Sequence, residues 1–98
     1  MNREIDLSFA CYGYVKELVY DLAMLPWGAI EPHNLHLPYL TDCILSHDIA
    51  VDAALKAWER YGVRCMVMPF VSMGSQNPGQ RELPFCVHSR YETQKAIL

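Results

Sequence analysis

Positions 22–30 read LAMLPWGAI, a near-continuous apolar run broken only by a Pro-Trp-Gly interruption. Such a run predicts a strand buried on both faces, as in a parallel sheet. Pro26 offers no ladder donor, so the strand is expected to be irregular or at an edge there. Residues 31–42 carry two prolines, an asparagine and two histidines, with acids at either end, and predict a loop. From about Thr41 the period changes. Ile44, Leu45, Ile49, Ala53, Ala54, Ala57, Trp58 and Tyr61 fall on one broad helical face, with Asp48, Asp52, Lys56, Glu59 and Arg60 mainly outside it. Gly62 is placed to end that helix. RCMVMPFV, residues 64–71, predicts a second strand. Residues 22–71 therefore read as strand, loop, helix, strand: a right-handed βαβ unit and the beginning of an α/β sheet.

The flanks are less regular. Tyr12, Val15, Leu18 and Val19 recur at helical spacing and predict a short helix over residues 12–20. Residues 72–88, with Gly74, Ser75, Asn77, Pro78 and Gly79 close together, predict a loop, and LPFCV (83–87) an extended piece within it. Ser89 and Glu92 have the spacing of a capping box and predict a last helix, whose apolar face begins at Ala96, Ile97 and Leu98. A helix that gains something to bury only in its final residues leads us to expect that residues 1–98 are the N-terminal portion of one larger domain.

Composition narrows the class. Of the 98 residues 52% are apolar and 19% charged, enough to build a core and unlike a disordered chain. Eight Lys+Arg against eleven Asp+Glu leave a formal charge of −3, and no stretch clusters basic residues as a nucleic-acid groove requires. No apolar run approaches the about 20 residues that cross a bilayer. The opening MNREIDLSFA places Glu4 and Asp6 where a secretory leader carries positive charge and then an apolar core. The expectation is a soluble cytoplasmic protein with neither nucleic acid nor membrane as partner. Cys11, Cys43, Cys65 and Cys86 form no CxxC pair, and all four read as structural, Cys65 as a small buried hydrophobe.

Chemistry concentrates in WGAIEPHNLHLPYLTD, residues 27–42. Glu31 and His33 stand two apart, so on extended backbone their side chains leave the same side. They follow a predicted strand end, where open α/β sheets place their ligands. Asp42 lies at the predicted helix start, where the helix end favours a carboxylate. Two carboxylates and an imidazole make a mixed O/N donor set, better suited to Zn²⁺ or Mn²⁺ than to calcium. On spacing alone a plainer reading stays open. In it Asp42 is a helix N-cap, Glu31 a solvated acid, and His33 and His36 surface imidazoles.

The same stretch resembles the signature of the creatininase (creatinine amidohydrolase) family. There a buried strand ends in a Pro-x-Gly turn, followed by Glu-x-His-Gly-x-His-Leu-Pro and, shortly after, an aspartate. Leu25-Pro26-Trp27-Gly28, Glu31, His33, His36-Leu37-Pro38 and Asp42 fall in register. MVMPFVSMGS (66–75) is similar to the family's second strand and its exit. LPFCVHSRYET (83–93) is similar to its Phe-Pro-Gly-Thr-Ile-Ser stretch and the Glu-Thr of the next helix. The resemblance covers residues 20–98. It implies a three-layer α/β/α fold with a mostly parallel sheet, and two divalent ions, Zn²⁺ or Mn²⁺, at its carboxyl edge. Carried over by position, Glu31 and His33 become terminal ligands, Asp42 the bridge, and His36 a neighbour orienting a carboxylate. The activity implied is hydrolysis of a cyclic or linear C–N amide bond in a small-molecule substrate by a metal-bridging hydroxide, in a homo-oligomer.

Departures from the family pattern carry expectations of their own. Asn34 replaces a glycine, and Asn tolerates the left-handed backbone such a turn needs. Phe85 and Cys86 replace a Gly-Thr pair, with Phe85 expected to close space that glycine leaves open and so to shift substrate choice away from creatinine. His88 replaces a small residue, with no role assigned. Trp27 lies beside the site and reads as core. The family's second His/Glu ligand pair and its proton-transfer residues are expected beyond Leu98, so the 98 residues alone are expected to be inactive. A non-enzymatic binding or assembly module that keeps the front half of the fold is the alternative.

Overall fold

The structure is a computed structural model, and it describes residues 4–98; the first three residues of the acidic opening stretch lie outside it. Six elements follow in order: α1 (Tyr12–Val15), β1 (Leu22–Met24), α2 (Thr41–Tyr61), β2 (Cys65–Val67), α3 (Pro78–Arg81) and α4 (Tyr91–Ile97). β1 and β2 pair in parallel, Leu22 opposite Cys65 and Met24 opposite Val67, with α2 as the crossover. The βαβ unit read from the periodicity is present.

α2 holds neither glycine nor proline over 21 residues. Asp42 in its first turn and Arg60 in its last complement the helix dipole. Gly62 ends it in the left-handed conformation (φ 65°), its N–H returning to the carbonyls of Ala57 and Trp58. The buried stripe is not the broad apolar face expected. Cys43, His47, Val51 and Ala54, spaced four, four and three apart, face inward, whereas Leu45 and Ile49 are 57% and 60% exposed. The helix is apolar on two sides, and β2 covers only one. The core is a single layer of Ile5, Val51, Ala54, Cys65 and Val67, with Met24, Ala50, Leu55, Ala57 and Val63 packed around it.

The central strand is β2. Its Val67 pairs with Met24 on one side and on the other with the segment at Asp6, where Val67 N donates to Ile5 O (2.7 Å) and Leu7 N to Val67 O (2.9 Å). This third, N-terminal member of the sheet has no clear pattern in the sequence. β1, by contrast, is flanked on one side only among the described residues, and Leu22 and Ala23 are exposed rather than buried on both faces. Its ladder breaks at Leu25-Pro26, as the missing proline donor requires, and resumes where Trp27 pairs with Val71. Between these pairs the chain advances three residues on the β1 side and four on the other, so one extra residue is absorbed where Pro26 and Pro69 interrupt the pairing.

Four further expectations are corrected. The first helix is one turn, Tyr12–Val15 with Lys16 as its C-cap, and buries nothing. Residues 83–87 are turn rather than strand, except that Val87 N donates to Ile30 O (2.9 Å). Within the expected 72–88 loop, Pro78 at its favoured first position starts the single turn α3. Ser89 does not cap α4: the N-cap is Arg90, without a side-chain bond. Ser89 is still paired: its N–H (2.9 Å) and its hydroxyl donate to Gly74 O, and its hydroxyl oxygen accepts from Gln94 Nε2 instead of from a backbone N–H of α4. No disulfide forms among the described residues; Cys65 is buried as expected and Cys43 is buried too, whereas Cys86 is half-buried and Cys11 exposed. No helix among them is long and apolar enough to cross a membrane.

Candidate metal centre

Four local features bring the acidic and imidazole groups to one place. The Trp27–Val71 pairing carries the chain past the end of β1, and Ile30 pairs antiparallel with Val87, so Glu31 sits at the sheet's edge. A tight reversal follows, with Leu37 N donating to His33 O (3.3 Å). Asn34 occupies the left-handed region at φ 57°, its side-chain carbonyl accepting from Leu35 N (2.8 Å). The turn expected to survive the glycine replacement therefore does so, through the self-capping that Asn provides. Thr41 then starts α2, its N–H and hydroxyl both on Pro38 O. Finally, Gly28 lies directly against Cys43: a Cβ there would stand 2.6 Å from Cys43 N and Sγ. This contact presses the first turn of α2 onto the strand end.

The result places Nε2 of His33 3.3 Å from Asp42 Oδ2 and 3.9 Å from Glu31 Oε1. One donor atom from each of the three residues lies within 4.8 Å of the others, the one such group of three among the described residues. The Glu31 and His33 side chains are 16% and 21% exposed, that of Asp42 43%. Asp42 is not an N-cap, since Leu40 holds that position without any side-chain bond. Glu31 is not a free solvated acid: Gln80 Nε2 donates to its Oε2 (3.3 Å). His33 Nε2 is buried and makes no hydrogen bond, so despite the short distance the carboxylates do not satisfy it. An imidazole nitrogen aimed between two carboxylate oxygens and bonded to neither fits a divalent cation of the Zn²⁺ or Mn²⁺ kind. His36 is exposed and makes no hydrogen bond or ion pair among the described residues, so the fold does not bring it to the group.

An open cavity of about 590 Å³ adjoins Asp42, walled by Trp27, Leu45 and Ile49 with Ser46, Ser75 and Gln94 at polar points. Trp27 is half-buried and faces this space rather than the core. On the other side, Glu31 shares a polar hollow with Ser75, Gln76, Asn77 and Gln80. His88 has a role here: its Nδ1 accepts from Gln76 N (3.1 Å), holding the 74–77 loop in place. Burial pushes the Cys43 thiol up, with the Asp42 charge adding to it, so Cys43 stays a neutral packing residue. Sequence reasoning missed Gln80 and Tyr39, whose hydroxyl bonds Pro84 O (2.8 Å) while its carbonyl accepts from Glu31 N (3.3 Å). No spacing signal marks either, because both reach the site from separate turns.

Phe85 departs from expectation. It is 85% exposed, and its backbone is left-handed at φ 59°, so the ring projects outward instead of filling space among the described residues. A phenylalanine held there costs about 1–2 kcal/mol, partly offset in a glycine by unfolded-chain entropy. Phe85→Gly is expected to raise stability by roughly 0.5–1 kcal/mol. Thermal denaturation reads this directly, and a lowered midpoint would mean the exposed ring makes contacts that outweigh the backbone strain.

A parallel strand pair with a crossover helix and a Glu-His-Asp group at its carboxyl edge defines the beginning of an α/β domain with a candidate ligand site where such sheets place theirs. The creatininase family profile, described as creatinine amidohydrolase, matches residues 14–98, and the chain belongs to this family. It is also similar to a crystal structure from Bacteroides fragilis NCTC 9343, provisionally named a creatinine amidohydrolase, at 72% sequence identity and a TM-score of 0.95. That likeness covers 99% of this chain and 38% of the other, so the chain spans well under half the length of that relative. No curated protein matches it.

Proposed function

We propose that this chain supplies the front part of the metal site of a creatininase-type amidohydrolase, with Glu31, His33 and Asp42 as ligands to divalent ions. The observation that carries the reading is the buried, unpartnered Nε2 of His33 set between the Glu31 and Asp42 carboxylates. A divalent ion bound there supplies Lewis acidity to polarise an amide carbonyl and to make water nucleophilic near neutral pH. The chain's own residues do the positioning. Glu31 and Asp42 contribute the negative charge that makes cation binding favourable, and His33 a neutral donor between them. The Trp27, Leu45 and Ile49 wall, with Ser46, Ser75 and Gln94, offers an apolar body and hydrogen-bonding points to a small amide substrate. Asp42 forms part of that wall, so a carbonyl seated there lies beside the metal ligands.

The family's three-layer α/β/α arrangement, a position as the N-terminal portion of one larger domain, and homo-oligomeric assembly belong to the same reading. The fold is supported by the family match, and the larger domain by the 38% share of the similar structure that this chain covers. Glu31, His33 and Asp42 would hold the ions, and three side chains would be fewer protein ligands than two catalytic zinc ions need, since each normally keeps three. The 98 residues alone are therefore expected to bind metal without turnover.

The test is metal analysis and amide hydrolysis in a chain extended to the relative's length, alongside Glu31→Gln. The variant is expected to lose bound metal and at least about a hundredfold in activity, the upper end of what partners outside the ligand sphere already cost. A wild-type protein that carries no metal, or a variant as active as wild type, would refute the assignment.

A further inference from the structure

We propose that Gln80 is a positioning residue for the metal site, holding the Glu31 carboxylate in the orientation that binds a cation; this rests on the reading of Glu31 as a ligand. A carboxylate has two oxygens and rotates freely unless one is fixed. Here Gln80 Nε2 donates to Oε2 (3.3 Å), a long but direct bond, while Oε1 lies 3.9 Å from His33 Nε2 on the side of the donor group. One oxygen is thus occupied and the other left for the ion.

The segment beneath Gln80 is tied down by hydrogen bonds. It lies in α3, where Asn77 O accepts from both Gln80 N and Arg81 N at 3.0 Å. The loop leading there is held by the Gly74–His88 pairing and by Gln76 N on His88 Nδ1 (3.1 Å). The residue type matters as much as its place. A neutral amide orients the carboxylate without cancelling its charge, whereas a lysine at this distance would compete with the cation for it. Outside partners of this kind typically change metal affinity about 10–100-fold.

The test is a Mn²⁺ titration, by calorimetry, of the chain extended to the relative's length, with Gln80→Ala and Gln80→Met beside wild type. Methionine keeps the length and most of the volume of glutamine but has no donor. Both variants are expected to bind Mn²⁺ at least about tenfold more weakly, with Gln80→Met melting at the wild-type temperature when EDTA is present. If Gln80→Met restores wild-type affinity, Gln80 only fills space and the proposal is overturned. If wild type binds and both variants bind equally well, the positioning role alone is refuted. If wild type itself shows no saturable Mn²⁺ binding, the metal-site reading falls and this proposal with it.

Discussion

Gly28→Val is expected to unfold the site and much of the chain with it. A Cβ at position 28 would lie 2.6 Å from Cys43 N and Sγ and 2.8 Å from Cys43 Cα. Two of these three atoms are backbone in the first turn of α2, which cannot swing away as a flexible side chain can. Either the helix start lifts or the strand end moves, and both separate Asp42 from His33. Overpacking of this kind costs about 1–3 kcal/mol, and rigid backbone on the opposing side puts the expected loss near 3 kcal/mol. For a chain of this size each kcal/mol moves the midpoint by about 4–8 °C, so a fall of more than ~10 °C is expected in thermal denaturation. A midpoint within a few degrees of wild type would show that the strand end and α2 are not tightly docked.

Metal removal gives the second large effect. A ligand bound only by the folded state at 100 times its Kd stabilises by about 2.7 kcal/mol. Melting the chain with saturating Mn²⁺ or Zn²⁺ and again in EDTA is expected to show a difference of about 10–20 °C. His33→Ala and Asp42→Asn are each expected to abolish it. Without metal the two wild-type partners are unequal. Asp42 is 43% exposed and makes no hydrogen bond to His33, so Asp42→Asn in EDTA is expected to melt close to wild type, as surface changes do. An Asp42→Asn protein that retains the full cation-dependent shift would remove Asp42 from the ligand set.

Some of this was legible from the residues in order. The helix over 41–61 and its glycine stop, the parallel strand pair and the break at Pro26 follow from local rules: periodicity, the left-handed freedom of Gly62 and the donor that proline lacks. The left-handed turn at Asn34 was legible for the same reason. The face that α2 buries was not. Its two apolar sides look alike in a periodicity count, and only the tertiary neighbours select the buried one: β2 against Val51 and Ala54, Gly28 against Cys43 and Asp6 against His47. The single turn at α3, the turn at Phe85 and the turning of the Ser89 hydroxyl to Gly74 O likewise depend on pairings between distant positions, such as Gly74 with His88 and Ile30 with Val87.

For the site, the motif named Glu31, His33 and Asp42, because a short extended segment and a helix start make their spacing meaningful. It also named His36, which the 33–37 reversal turns to solvent. By itself, then, the sequence determined which residue types are available, which local turns they can form and which family they belong to. The tertiary structure decided which of them meet. Gly28 against Cys43 brings the helix start to the strand end, and α3 delivers Gln80 to Glu31 from 49 residues away. Contacts between distant segments depend on packing that no local pattern records, and a site's geometry is made of such contacts.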